Sequence, residues 1–253
     1  MKKIAILGAV LALSTSAIAD DSAFYAKVGG FGSIGHKLCD DDKTIGGIKI
    51  DKDLNKFGKF TFGGSIGAGY KLMDNVRLEL TASYFAGPEW KYEVPEVKAV
   101  AAVAAVTDAS GKITTPAVDK VDAQPKSTLE VKASGPVGLA NVYVDLFNFG
   151  PGSVYVNGGA GVSYVKVKVE NKDDKTKDVE YDAKARFAWN VGAGVSFSVS
   201  EGVSIDAGYS FSDLGKPAKE DVKGAKDDKT KGEEFSGNNI RSHNINVGVR
   251  FSL

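Results

Sequence analysis

Few residues in this 253-residue chain could do chemistry. They are two histidines, His36 and His243, one cysteine, Cys39, and a set of charged side chains at alternate positions of otherwise apolar segments. A hydrolase or acyltransferase needs a histidine beside a nucleophile and an acid. His36 and His243 fall near strand–loop junctions without an obvious local partner, so no enzymatic activity is expected. Cys39 stands alone, which rules out an intramolecular disulfide and suggests a passive loop residue. Paired aspartates occur at Asp41-Asp42, Asp173-Asp174 and Asp227-Asp228. They lack the spaced ligands and glycine of a dedicated calcium loop, so neither metal nor cofactor is expected.

The embedded charges say more. Lys27, Lys71, Arg77, Glu79, Asp145, Arg186, Asp206 and Arg250 share the polar side of alternating segments. Asn141, Tyr143, Asn157 and Asn190 lie on that side too. Such charges are costly inside a narrow space unless paired. Lys71, Arg77, Arg186 and Arg250 can pair with Glu79, Asp145 and Asp206, the amides and Tyr143 filling the remaining hydrogen bonds. The network reads either as a polar plug that fixes register or as a narrow ion pathway, and a small bore favours the plug.

Those side chains need strands to position them. The last nine residues show the pattern: Ile245, Val247, Val249, Phe251 and Leu253 alternate with Asn246, Gly248, Arg250 and Ser252. A closed transmembrane barrel needs such a final strand to pair with its first. The first strand runs from about Ala23 to Ile34. Others place Phe60 to Tyr70, Val76 to Tyr84, Val154 to Tyr164, Phe187 to Val199 and Val203 to Phe211 on apolar faces. A further strand ends near Asn148, with Asn141, Tyr143 and Asp145 facing the polar side. Beyond Tyr164 the polarity flips, Val165, Val167 and Val169 opposing Lys166 and Lys168. A bulge or a strand continuing above the membrane would produce this flip.

Eight strands result, with short turns near Asp74, Pro151 and Glu201 alternating with four long segments. Segment 88–127 shows no strand alternation, and its Ala/Val-rich middle, Val97 to Val106, reads as a short helix or an extra hairpin arm. A soluble barrel would put its apolar face inside. Here the apolar face fits lipid. Tyr70, Tyr84, Tyr164, Trp189, Tyr209, Phe211 and Phe251 on that face can form aromatic girdles. The expected fold is all-β: an eight-stranded antiparallel transmembrane β-barrel with short periplasmic turns and four long extracellular loops.

Residues 1–19 read as a secretory signal peptide: Lys2 and Lys3, an apolar core from Ile4 to Leu13, and Ala17 and Ala19 at the cleavage site. The mature domain then spans 20–253, in the outer membrane of a Gram-negative cell and in contact with its lipid. Its net charge is about −2 once Lys2 and Lys3 are removed, which gives no electrostatic case for a nucleic-acid partner. A monomer is expected.

Function on such a scaffold should live in the loops. Three of the long segments repeat Asp-Asp-Lys-Thr, contributing Asp41, Asp42 and Lys43, then Asp173, Asp174 and Lys175, then Asp227, Asp228 and Lys229. The repeat reads as solvated low-complexity turn sequence or as a mixed-charge surface presented several times around the mouth. In the second reading it could hold a basic segment of a host protein.

Signal peptide, strand count, Ala140-Asn141-Val142-Tyr143-Val144-Asp145 and Gly159-Ala160-Gly161-Val162-Ser163-Tyr164 together resemble the outer-membrane barrel family that includes OmpX, Ail and the transmembrane part of OmpA. The Asn-x-Tyr-x-Asp strand is similar to surface antigens and Adr-type adhesins of rickettsiae. The resemblance implies adhesion to host cells, binding of a host surface or serum protein such as vitronectin, and complement resistance. A narrow porin-like channel and a structural surface antigen are the alternatives.

Overall fold

The computed structural model describes residues 23–38, 43–45, 48–50, 57–96, 98, 106–107, 113–115, 126–173, 179–181, 183–216 and 238–253. The proposed signal peptide, its cleavage site and most of Val97 to Val106 lie outside these residues.

Eight strands form a closed antiparallel ring: β1 (Phe24–Gly35), β2 (Phe60–Met73), β3 (Val76–Phe85), β4 (Ser127–Phe149), β5 (Gly152–Ser163), β6 (Arg186–Ser200), β7 (Val203–Asp213) and β8 (Arg241–Ser252). Each pairs with its sequence neighbours, and β1 pairs with β8 over eleven register positions from Tyr25↔Ser252 to Gly35↔Ser242. The Leu253 amide donates to the Phe24 carbonyl at 3.0 Å, so pairing continues to the last residue. The short turns fall at Asp74–Asn75, Gly150–Pro151 and Glu201–Gly202, as expected.

The ring's outward face is apolar because it meets lipid. Ile245, Val247, Phe62, Leu80, Phe187 and Val191 are all exposed. Aromatic rings gather toward both rims. Phe24 lies 4.8 Å from Tyr70 and Phe149 lies 5.6 Å from Phe197 at the turn end, and Phe60 lies 5.0 Å from Phe62 at the loop end. Tyr84, Tyr164, Tyr209 and Phe251 are exposed on this face, as the girdle reading requires.

The inward face is rich in glycine for a steric reason. An eight-stranded bore is just wide enough for side chains to fill it. Tyr25 stands opposite Gly69 and Phe31 opposite Gly63 on the neighbouring strand. A Cβ at either glycine would overlap the facing ring. Large inward rings therefore require bare backbone beside them.

The fourth strand is the longest, at 23 residues. A tilted membrane strand needs only about 9–11. The excess, Ser127 to Ser134, rises past the ring into a second, four-stranded sheet with Glu89–Val94, Lys166–Asn171 and Val179–Tyr181. Segment 88–127 therefore begins with a strand, which corrects the expectation of no alternation there. Trp90, Tyr92 and Val94 are buried while Lys91 and Glu93 are exposed. The Gly87-Pro88 step hides this pattern. Between Phe85↔Gly135 and Glu89↔Lys132 the register advances by one residue, a bulge that switches the inward parity. Gly87 takes φ +108 at that point, a conformation that favours glycine.

The flip after Tyr164 has another cause. Ser163 pairs with Val137 and Lys166 with Ser134, an unbroken register. Side-chain parity does not change; the surroundings do. Below this level the outward side meets lipid and is apolar. Above it the outward side meets water and carries Lys166 and Lys168, while Val165, Val167 and Val169 are buried inside. The strand continues, with no bulge.

Candidate functional site: a filled bore beneath a raised sheet

The bore is layered. Its turn-end floor is charged. Lys27 reaches Asp206 at 3.2 Å and Glu79 at 3.7 Å. Arg77 pairs with Asp145 at 3.1 Å and Arg250 with Asp206 at 3.7 Å. Three cations thus meet three carboxylates. The hydroxyls of Tyr25 and Tyr143 each donate to Glu79 at 3.2 Å, and Ser153 donates to Asp145 at 3.1 Å. Arg77 also lies over the rings of Tyr143 and Tyr155, at 5.0 and 5.5 Å, and Arg250 lies 5.3 Å from the Tyr25 ring centre. Buried charges of this kind hold position only when paired and hydrogen-bonded.

The residues expected in the network divide as follows. Arg77, Glu79, Tyr143, Asp145, Asp206 and Arg250 come together in the floor. Asn141 joins through Thr81, donating to its hydroxyl at 3.1 Å, and Thr81 donates to Glu79 at 2.9 Å. Asn157 and Asn190 line a cavity of ≈ 90 Å³ above the floor. Two placements need correction. Lys71 is exposed at the turn end of β2, outside the network, because the strand has already left the bore there. Arg186 sits at the loop end, opposite Ser163, and makes no ion pair with a described carboxylate. Lys27, on the polar face but left out of the expected pairing, is the cation that joins Glu79 to Asp206. Tyr25 and Tyr155 were also missed. The glycines facing them, Gly69 and Gly194, were the available signal.

Above the cavity the bore holds a hydrophobic cluster on one side. Phe31 packs on Phe85 at 4.7 Å, and Val137, Ala188, Leu214 and Ile240 belong to the same buried cluster. This cluster runs without a break into Trp90, Tyr92, Leu129, Val131, Val167 and Tyr181 of the raised sheet. The loop-end half of the bore is therefore mixed: the hydrophobic cluster shares it with buried Ser33, Ser210, Ser212, Ser242 and Asn244, and the Asn244 amide donates to the Ser212 hydroxyl at 3.0 Å. Phe31 and Phe85 cap the charged layer, so the described interior forms a plug.

The raised sheet's outward face carries a lattice of charges. Lys172 bridges Glu130 at 3.1 Å and Glu170 at 3.2 Å, and Lys132 reaches the same two carboxylates at 3.3 and 3.5 Å. Lys166 and Lys168 both reach Glu180. Burial pushes the Glu130 carboxyl up, but hydrogen bonds from Lys172 and Lys132 outweigh it and hold the group below its ordinary range. The hydrogen bond from Lys172 does the same for Glu170. The Lys172 ammonium is raised by both carboxylates.

Of the repeat residues, Asp173 is described and already engaged: its carboxylate accepts from the Thr128 amide at 2.7 Å, tying the turn to β4. Lys43 begins a short hairpin, Lys43–Ile45 with Ile48–Ile50. Asp41, Asp42, Asp174, Lys175, Asp227, Asp228 and Lys229 lie outside the described residues.

His36 and His243, without an obvious local partner in the sequence, find partners far along the chain. His36 Nδ1 lies 3.0 Å from His243 Nε2, and His243 Nδ1 lies 2.6 Å from the Tyr209 hydroxyl. The order is imidazole–imidazole–phenol, not the hydroxyl–imidazole–carboxylate order of a hydrolase.

The family model described as outer membrane protein beta-barrel domain matches residues 5–252. The Rickettsia conorii protein named "Putative adhesin RC1281" is 30% identical over 197 residues, covering 76% of this chain and 68% of its own length. "Putative adhesin RT0816" of Rickettsia typhi is 27% identical over 263 residues, covering 100% of both. Among solved structures, Neisserial surface protein A is 16% identical with a TM-score of 0.46, covering 92% of this chain and 98% of that one. Location in the outer membrane follows from the family match. The chain belongs to the outer membrane protein β-barrel domain family and is related within it to rickettsial proteins named as adhesins.

Proposed function

We propose that this protein is a surface adhesin that holds a host surface or serum protein through its extracellular loops and raised sheet, with the barrel as its membrane mount. One observation carries the reading: the bore is filled, charge-paired below and closed by a hydrophobic cluster with buried hydroxyls above, while β4 spends a third of its length in a paired sheet beyond the ring. That investment of ordered backbone serves presentation rather than passage. The names of the rickettsial relatives support the same reading. Serum-protein capture of the vitronectin kind and the complement resistance that follows from it are the finer form of this proposal. The signal peptide over 1–19, the monomeric state and the non-catalytic role belong to it as well.

The test is binding of host-surface and serum proteins to intact cells displaying the barrel. A version with segments 88–127 and 213–238 shortened is compared at matched surface levels. Saturable binding by the full chain that drops at least about tenfold on shortening, about 1.4 kcal/mol, is the expected result. Equal binding by both versions, or none by either, rejects the proposal for those partners.

A further inference from the structure

The chain has two histidines, 207 residues apart in sequence, and the closing of the ring brings them together. His36 directly follows β1 and His243 belongs to β8, so they meet on the seam where first and last strands pair. The His36 amide donates to the Arg241 carbonyl at 2.8 Å. Phe57, at the far end of the first loop, packs edge-on against His36 at 5.4 Å and His243 at 6.1 Å. The Gly58 amide donates to the Gly35 carbonyl at 2.8 Å. The two ends of the first loop therefore meet beside the histidine pair, with Phe57 packed on it.

The ring centroids are 5.2 Å apart while the facing nitrogens are 3.0 Å apart. The rings meet nearly end to end. Their lone pairs point at each other rather than at the common vertex a metal ion would occupy. One proton fills the gap. A single added proton is accommodated: His243, protonated on both nitrogens, donates to His36 Nδ1 and to the Tyr209 oxygen. A second is not, because two N–H groups and two like charges would then face each other at hydrogen-bond distance. We propose that His36, His243 and Tyr209 form an acid-sensitive latch on the β1–β8 seam, which holds the Phe57 ring against the pair at neutral pH and loosens that packing when both imidazoles are protonated.

The described charged groups near the pair are either cationic or paired with one another. Lys37, whose ammonium lies 6.0 Å from the Phe57 ring centre, adds positive charge on the β1 side. On β8, Arg241 is occupied by Asp213 of β7 at 2.9 Å. Lys59, beside the loop end, is paired with Glu89 of the raised sheet, and its amide donates to the Glu89 carbonyl, a tie on this end that does not involve the histidines.

Two tryptophans report on the latch. Buried Trp90 donates its indole N–H to the His36 carbonyl at 2.9 Å, and Trp189 lies 5.8 Å from Phe211, which itself touches His243. The purified barrel in detergent micelles is titrated from about pH 8 to pH 4, spanning the ordinary imidazole range. Tryptophan emission is followed in wild type, His36→Asn and His243→Gln, with Trp189→Phe to isolate Trp90. The amides replace each facing ring nitrogen with a group that does not titrate. The wild type should show a red shift of Trp90 emission on acidification, and either single variant should lose it, since one histidine alone cannot reach the doubly charged state. A flat wild-type trace overturns the latch. So does a shift that survives in a folded variant, which would assign it to carboxylates. Either variant suffices, so a folding failure in one leaves the test intact.

Discussion

Lys27 illustrates how one side chain can carry a bore. It comes from β1 and reaches Glu79 on β3 and Asp206 on β7. Lys27→Met keeps most of the volume and removes the charge, leaving Glu79 dependent on hydroxyls and Asp206 on Arg250 at 3.7 Å. Breaking a buried pair from one side costs about 3–5 kcal/mol. The urea midpoint of the refolded barrel in micelles should fall accordingly, whereas exposed Lys71→Met should stay within about 0.5 kcal/mol of wild type. Equal effects from both would show that Lys27 is no more structural than a rim lysine. The alternation of residue types put Lys27 and Lys71 on the same polar face but could not rank them. Period-2 patterning gives the side a residue faces; it gives neither its depth in the bore nor its partners across it.

At the scale of elements, the eight ring strands were legible because lipid imposes a strict outward apolar face. The raised sheet was legible only as a polarity change after Tyr164, because its inner face packs on a core that alternation alone does not announce. Its strand Glu89–Val94 was missed although it alternates cleanly, since the Gly87 bulge reset the parity. The sheet's charge lattice sets its pH response. Glu130 and Glu170 have folded-state pKa values below their ordinary ones. Their contribution is present above the unfolded carboxylate pKa of about 4.3 and is lost as pH falls through the lower folded value. Backbone amide exchange over 128–133 and 166–171, normalised to intrinsic rates, should accelerate in that window, while amides of 139–145 in the ring remain protected. Uniform protection across both regions would show that the apolar core alone holds the sheet.

For the whole molecule, the filled bore predicts that the refolded protein in planar bilayers gives no steady porin-like conductance steps. Ohmic, reproducible steps would overturn the plug and return the charged layer to an ion pathway. The sequence pointed to a barrel with an occupied interior, but not the division into a charged floor and an upper layer of hydrophobic cluster and buried hydroxyls, nor the meeting of His36 with His243. Both depend on which residues closure makes neighbours. Closure also gives the Lys27 contacts a second meaning. The three strands they join are fixed around the circumference by the number of strands between them. A ring that skipped or gained a strand would change the diameter and rotate Glu79 and Asp206 away from a single ammonium's reach. The balanced charges therefore act as a gauge: they neutralise one another in a ring of one size, and a misassembled ring is marked by buried charge that has nowhere to go.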